Sequence, residues 1–306
     1  MKHFIIRRAF ASVIVLWGVS TLIFFTVHMI PGDPARVMLG VRATPERVES
    51  LRESMGLDDP LLTQYFRFFG NVARGDLGRS FRTNRPVGHE IAVRIGPTVQ
   101  LAFAGMGLAL IIGVSAGVLA AAFRDTWIET VVMMVAMIGI SVPNFVLGML
   151  LMLYFSLHLR WLPTMGHGTW QHFVAPVISL GFLYSAIIAR ITRSSMVEIL
   201  GMDYIRSARA KGLSERVVMT KHALKNGLIP VVTIAGLYLA VLLGGTVVVE
   251  TLFSWPGLGR LAVESILARD YPMIQAIILV ISSGFVLINF LVDLSYGFLD
   301  PRIRYD

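Results

Sequence analysis

Cysteine is absent from the 306 residues. Disulfides, thiolate metal sites and iron–sulfur ligation by this chain are thereby excluded. Charge is scarce. Only 15% of residues are Asp, Glu, Lys or Arg and 55% are apolar, whereas soluble domains carry about 25% charged residues. That balance excludes a soluble enzyme and a disordered or fibrous chain. No Walker-type phosphate loop occurs, so the chain is expected neither to bind nor to hydrolyse ATP. No Ser/His/Asp set and no carboxylate pair stands out, so no catalytic residue is expected. His158, His167 and His172 share one loop, but their spacing fits no ligand pattern and no carboxylate lies between them, so no metal site is expected either.

What the chain has is long apolar runs, at Ala9–Ile30, Val99–Phe123, Ile128–Leu157, Phe173–Ala189, Val231–Val249 and Met273–Val292. Most reach the roughly 17–25 residues that cross a bilayer. The expected fold is an all-α membrane protein with six transmembrane helices. Pro143, near the middle of the third run, predicts a kink there. The first run follows Lys2, Arg7 and Arg8 as a signal peptide would. It is too long for a cleavable apolar region, and no small-residue cleavage site follows, so it reads as a retained helix.

Net charge is +8. Orientation in the membrane accounts for it better than nucleic-acid binding does. Long loops largely escape the positive-inside rule. With Pro31–Thr98 set aside, the short segments on the side of the N-terminus hold 14 Lys and Arg against 3 on the other. Both termini are therefore expected in the cytoplasm.

Three regions follow: 1–30 with the first helix, 31–98 as an extracytoplasmic helical loop, and 99–306 as the membrane core. Within 31–98, Thr44-Pro45-Glu46 predicts a helix start, Val48, Leu51 and Met55 one face, and Gly56 its end. Asp59-Pro60 predicts a second helix with Leu62, Tyr65, Phe66, Phe69 and Val72 as its apolar face. Two short amphipathic helices should lie on the outer membrane face or cap the bundle. Gly105, Ala109, Gly113, Gly117 and Ala121 form a stripe of small residues, echoed by Gly236, Ala240 and Gly244. Such stripes pack helices closely, within one bundle, against a second subunit or along a translocation path.

The segment 194–226 is polar, basic and patterned as helix–turn–helix. Its first helix should run through Met196–Lys211, Gly212 should end it, and Ser214 should cap the next, which runs to about Lys225. A short helix held between two spans and ringed by Arg206, Arg209 and Lys211 fits a groove on a cytosolic partner.

This segment carries a resemblance. Ala208–Ser214 (ARAKGLS), His222–Asn226 (HALKN) and Ile229-Pro230-Val231-Val232-Thr233 resemble the coupling-loop region of permease subunits of ABC importers, closest to the peptide group of dipeptide, oligopeptide, glutathione and nickel systems. Pro31-Gly32-Asp33-Pro34-Ala35, Gly75–Ser80, Arg94–Thr98, Ser254–Arg260, Arg269-Asp270-Tyr271-Pro272 and the tail Asp300-Pro301-Arg302-Ile303-Arg304 match in order, in the manner of the first (B-type) permease of a pair. The broader importer pattern places Glu-Ala-Ala where Arg206, Ser207 and Ala208 stand, and Pro where Lys225 stands. An acid for the partner would then come from Glu198, Asp203 or Glu215.

The resemblance implies a type I importer permease in the bacterial inner membrane. It implies a second homologous permease, two cytosolic ATPases carrying ATP and Mg, and an extracytoplasmic binding protein, with no cofactor on this chain. It assigns ATPase coupling to Asp203, Tyr204, Arg206, Ser207, Ala208, Arg209, Lys211 and Gly212. The translocation path or outer gate falls to Gly236, Ala240, Gly244, Glu250, Trp255, Pro256 and Gly257. Glu250 is either a solvated helix end or part of a Trp–Pro loop that dips into the bundle. Asp293, on one face with Asn289, is expected to pair with Arg190 or Arg193, a proton relay being the alternative. His28 should hydrogen-bond at the interface. A self-sufficient secondary transporter would need buried coupling charges and an inverted repeat, and neither is evident.

Overall fold

The structure is a computed structural model describing residues 2–29, 33–40 and 43–299. Pro31, Gly32 and the tail motif from Asp300 onward, with Tyr305, lie outside the described residues. The described residues are helical apart from turns and one isolated antiparallel bridge between Arg79 and Pro86. Five helices are long and apolar enough to cross a membrane, six if one bent pair counts as a single span. The chain divides into two compact units.

The first unit takes residues up to 98 together with 256–286. It opens with α1 (Lys2–His28) and a short α2 (Pro34–Leu39), whose first turn is held by Asp33 accepting from the Ala35 N–H at 3.0 Å. The two expected outer helices are present as α3 (Pro45–Met55) and α4 (Leu61–Ala73). Thr44 sits at the cap of α3 without a side-chain bond to it, and Gly56 ends the helix at φ +62. Two elements close the unit, α13 (Leu258–Leu267) and the first part of α14 (Tyr271–Leu299). Its core is Val87, Ile91, Leu258, Leu261, Met273, Ala276 and Ile277.

The second spanning helix, α5 (Val87–Ala122), begins well before the expected Val99. Residues 87–98 are therefore helix rather than loop. Glu90 and Arg94, ion-paired one turn apart, hid this stretch from an apolar reading, and Pro97 is accommodated inside the helix.

Among the described residues, the second unit takes 99–255 and 287–299. Here α6 (Trp127–Ser141) and α7 (Asn144–Leu151), continued by a π-helical stretch Met152–His158, make up the third apolar run. They meet at 97°, a full break rather than the expected kink. Pro143 forces Val142 into an extended conformation (φ −89°, ψ 117°), so the helix stops there. The fourth span, α8 (Trp170–Leu200), is much longer than the run that announced it and starts in a capping box between Thr169 and His172. The fifth runs from α10 (Glu215–Val217) through a π-helical stretch Val218–Ala223 into α11 (Leu224–Gly245), followed by α12 (Val247–Leu252). The helix expected to stop near Lys225 thus continues into the membrane.

The small-residue stripe of α5 lies on α8. A Cβ on Gly113 would fall 2.6 Å from the Ser185 carbonyl oxygen, and one on Gly117 would fall 2.5 Å from the Thr192 Cβ. That is packing within the bundle, where close van der Waals approach replaces the hydrophobic drive that lipid removes.

Candidate functional site

The patterned loop is built in three steps. Helix α8 ends at Leu200. Gly201 closes it, its N–H donating to the Glu198 carbonyl at 3.1 Å. Met202 is extended (φ −75°, ψ 151°), so the chain turns before α9 (Asp203–Ala210). The continuous Met196–Lys211 helix expected from the sequence is broken at this point. The local reason is Gly201 and Met202 followed by Asp203, whose acid suits a first turn.

Helix α9 has two faces. Ile205 and Ala208 are buried and pack with Met196, Ile199, Val218, Ala223 and, from the end of α5, Ala121. Asp203, Tyr204, Arg206, Ser207, Arg209 and Lys211 are exposed. Of the residues expected to couple, Ala208 therefore anchors the helix while the other seven, Gly212 included, are exposed. Gly212 ends the element at φ +78, its N–H donating to the Arg209 carbonyl at 2.9 Å. This is the left-handed region where a Cβ is costly. Ser214 stands at the next cap without a side-chain bond.

Two side-chain links fasten α9 to the start of the fifth span. Arg209 donates to both Glu215 oxygens, at 2.7 and 3.3 Å. The Glu215 hydrogen bond holds the Arg209 guanidinium above its ordinary pKa. Asn226 donates to the Tyr204 hydroxyl at 2.9 Å, and that hydroxyl reaches the His222 carbonyl at 3.4 Å. Glu215, one of the acids considered for a partner, is thus engaged inside the loop. The Tyr204–Asn226 link joins α9 to the His222–Asn226 motif, a contact no periodicity revealed.

At the other end of α11, Glu250 is fully buried and accepts from the Thr246 hydroxyl at 2.8 Å. Its carbonyl takes the Trp255 N–H at 2.7 Å. Trp255 is also fully buried, edge-on to Phe173 (4.6 Å between ring centres) and to His167 (4.5 Å). The loop folds into the bundle, and the solvated reading of Glu250 is excluded. Pro256 and Gly257 follow in the first unit, where Leu258 donates to the Thr98 hydroxyl at 2.8 Å. Gly236 lies against the Val292 side chain, and Ala240 is buried, so both serve helix packing.

Two other residues named from the sequence have partners in the structure. Arg193, a proposed partner of Asp293, binds Glu129 across α6 and α8 through its Nε at 2.7 Å and a second nitrogen. His28 lies 2.7 Å from the Phe24 carbonyl and 3.1 Å from Gln64 Oε1. Sequence reasoning gave Asp270 no role beyond its motif. It is buried and collects the Ser80 hydroxyl (2.5 Å) and the Phe81 (3.0 Å), Arg82 (3.3 Å) and Met273 (3.4 Å) N–H groups.

Comparison with known proteins places this geometry. Residues 113–305 match the family described as binding-protein-dependent transport system inner membrane component, and residues 1–102 match its N-terminal companion family. The glutathione transport system permease protein GsiC of Escherichia coli K12 is 48% identical over 305 residues, covering 100% of both chains. GsiC of Shigella dysenteriae gives the same figures. Among solved structures, a chain of the MetNI methionine ABC transporter in an inward-facing conformation aligns with TM-score 0.60 at 19% identity, covering 69% of this chain and 96% of that one. A chain of an amino acid ABC transporter crystallised with histidines gives TM-score 0.53 at 19% identity, covering 69% and 94%. These structural likenesses establish the fold, and the full-length likeness to the permeases establishes the lineage. The chain is a multi-pass inner membrane protein belonging to the permease components of binding-protein-dependent, peptide-family ABC importers.

Proposed function

We propose that this permease carries short peptides, glutathione foremost, into the cytoplasm by alternating access. The single observation that carries the reading is the two-faced helix α9: apolar anchors Ile205 and Ala208 on the ends of three spans, cations outward, and a left-handed Gly212 behind it. A push on the outward face reaches α5, α8 and α11 together, because the anchors touch all of them or their extensions. Glutathione is favoured because the permeases 48% identical over the whole chain bear that name.

In this reading both termini are cytoplasmic and the exposed Asp203, Tyr204, Arg206, Ser207, Arg209 and Lys211 meet a partner ATPase. Two such ATPases bind ATP and Mg, and the chain itself performs no catalysis. A homologous second permease completes the path, and a secreted binding protein delivers the substrate. Trp255, held by Glu250, acts with Pro256 and Gly257 as the outer gate, with Gly236, Ala240 and Gly244 packed beside the path.

The test is purification of the tagged chain from its own host in mild detergent. Recovery of a homologous permease, ATPases with Walker motifs and a secreted binding protein loaded with a thiol tripeptide supports the proposal. A binding protein loaded with a metal ion or an unrelated solute would overturn the substrate assignment.

A further inference from the structure

Helix α4 is one of the two short amphipathic helices of the outer segment, and its contacts are with α1. It lies alongside the C-terminal half of α1. Tyr65 reaches the Thr21 hydroxyl at 2.9 Å and stacks on Phe25, Phe68 meets Phe24, and Gln64 meets His28. Thr21 stands about two turns, or about 10 Å, before His28 along the α1 axis. The α1 span Ile6–His28 has 23 residues, about 34 Å of helix, against a hydrocarbon core of about 30 Å. A helix whose Tyr65 side chain reaches Thr21 therefore lies level with the C-terminal end of the α1 span.

The sequence of α4 divides into three faces at about 100° per residue. Gln64, Tyr65, Phe68 and Val72 turn toward α1. Thr63, Arg67 and Asn71 form a polar edge, with Arg67 ion-paired to Asp59. Leu62 and Phe66 point away from both and are 65% and 69% exposed. Beside them, α1 exposes Leu22 and Phe25, and Met29 just past its end is exposed as well. The two helices thus share one unbroken apolar surface, part of which belongs to a membrane span. An apolar face, a polar edge and too little length to span are the marks of a helix seated at the lipid–water boundary.

We propose that α4 is a membrane-seated helix, with Leu62 and Phe66 in contact with acyl chains of the leaflet that meets the C-terminal end of α1. That leaflet is the outer one in the orientation proposed above. The lipid contact itself does not depend on the orientation, so either statement can fail alone. The consequence is that part of the outer segment rides in the bilayer rather than in the periplasm, fixing the depth of the cleft of about 500 Å³ that it forms with the turn 76–81 and the start of α14.

This chain has no cysteine, so each variant adds a single label site to it, read as the difference from the complex without the substitution. Single variants Leu62→Cys and Phe66→Cys are spin-labelled in the complex purified with the chain and reconstituted into phosphatidylethanolamine–phosphatidylglycerol liposomes. Collision with oxygen, enriched in lipid, is compared with collision with a water-soluble nickel chelate. Leu22→Cys in α1 is the lipid standard and Glu49→Cys in α3 the water standard. The expected result is an oxygen-to-nickel ratio at both positions equal to that of Leu22→Cys and about tenfold above that of Glu49→Cys, as burial at acyl depth requires. Nickel access at either position would place α4 in water. Exclusion of both reagents would place a protein subunit on it. Either result overturns the proposal.

Discussion

At the scale of single residues, the environments that matter are those where one atom decides the outcome. Gly212 adopts φ +78 with no neighbour near a built Cβ, so backbone strain alone restricts it. Strain there is about 1–2 kcal/mol for a branched residue and far less for Asn, which tolerates this region. Gly212→Asn is expected to keep ATP-driven uptake and Gly212→Val to lose most of it, both assembling normally by gel filtration. Thr192 carries the opposite problem. Its hydroxyl is buried without a hydrogen-bond partner among the described residues. Thr192→Val removes an unsatisfied polar group while keeping the shape, so the melting temperature should hold or rise. Asp270 is a buried acid that accepts four hydrogen bonds. Asp270→Ala orphans the Ser80 hydroxyl and the Phe81 and Arg82 N–H groups, with an expected loss of about 3 kcal/mol in thermal unfolding.

At the scale of elements, the two glycine environments of α5 separate packing from propensity. A Cβ on Gly117 would lie 2.5 Å from the Thr192 Cβ, whereas one on Gly107 meets nothing within 4 Å. Gly117→Ala is therefore expected to destabilise by about 1–3 kcal/mol through overpacking, and Gly107→Ala to be neutral or better. Gly107→Ala proving the more harmful in a thermal melt would contradict the α5–α8 contact. These elements were unevenly legible. The small-residue stripe could be read from spacing alone, because every fourth position is one helix face. The start of α5 could not, because the Glu90–Arg94 pair is charged yet helical. The 97° break was foreseen only as a kink, since Pro143 announces an interruption but not its angle. The boundary between the loop and the fifth span vanished because polar residues 215–226 continue the same helix.

At the scale of the whole molecule, the motifs pointed to the lineage and to the patterned loop 194–226, because turn glycines and basic helices leave strong local patterns. The burial of Glu250 and Trp255 was one of two open readings. An acid at a helix end looks solvated in sequence, and only the partners Thr246, Phe173 and His167, distant or off-pattern, decide it. The Arg209–Glu215 and Tyr204–Asn226 links were likewise invisible, being contacts between helices. Together they fasten α9 to the base of the fifth span, and in the proposed function its outward charges are needed only when a motor is attached. Reversing the exposed Lys211 to Glu should therefore lower uptake driven by ATP without altering the melting temperature.

The most direct measurement is uptake of labelled glutathione into liposomes holding the complex that purifies with this chain, with ATP and Mg inside and the binding protein outside. Uptake that requires both, and that stops when ATP is replaced by a non-hydrolysable analogue, is the expected result. Uptake by this chain alone under an ion gradient, with no nucleotide present, would contradict an importer driven by partner ATPases.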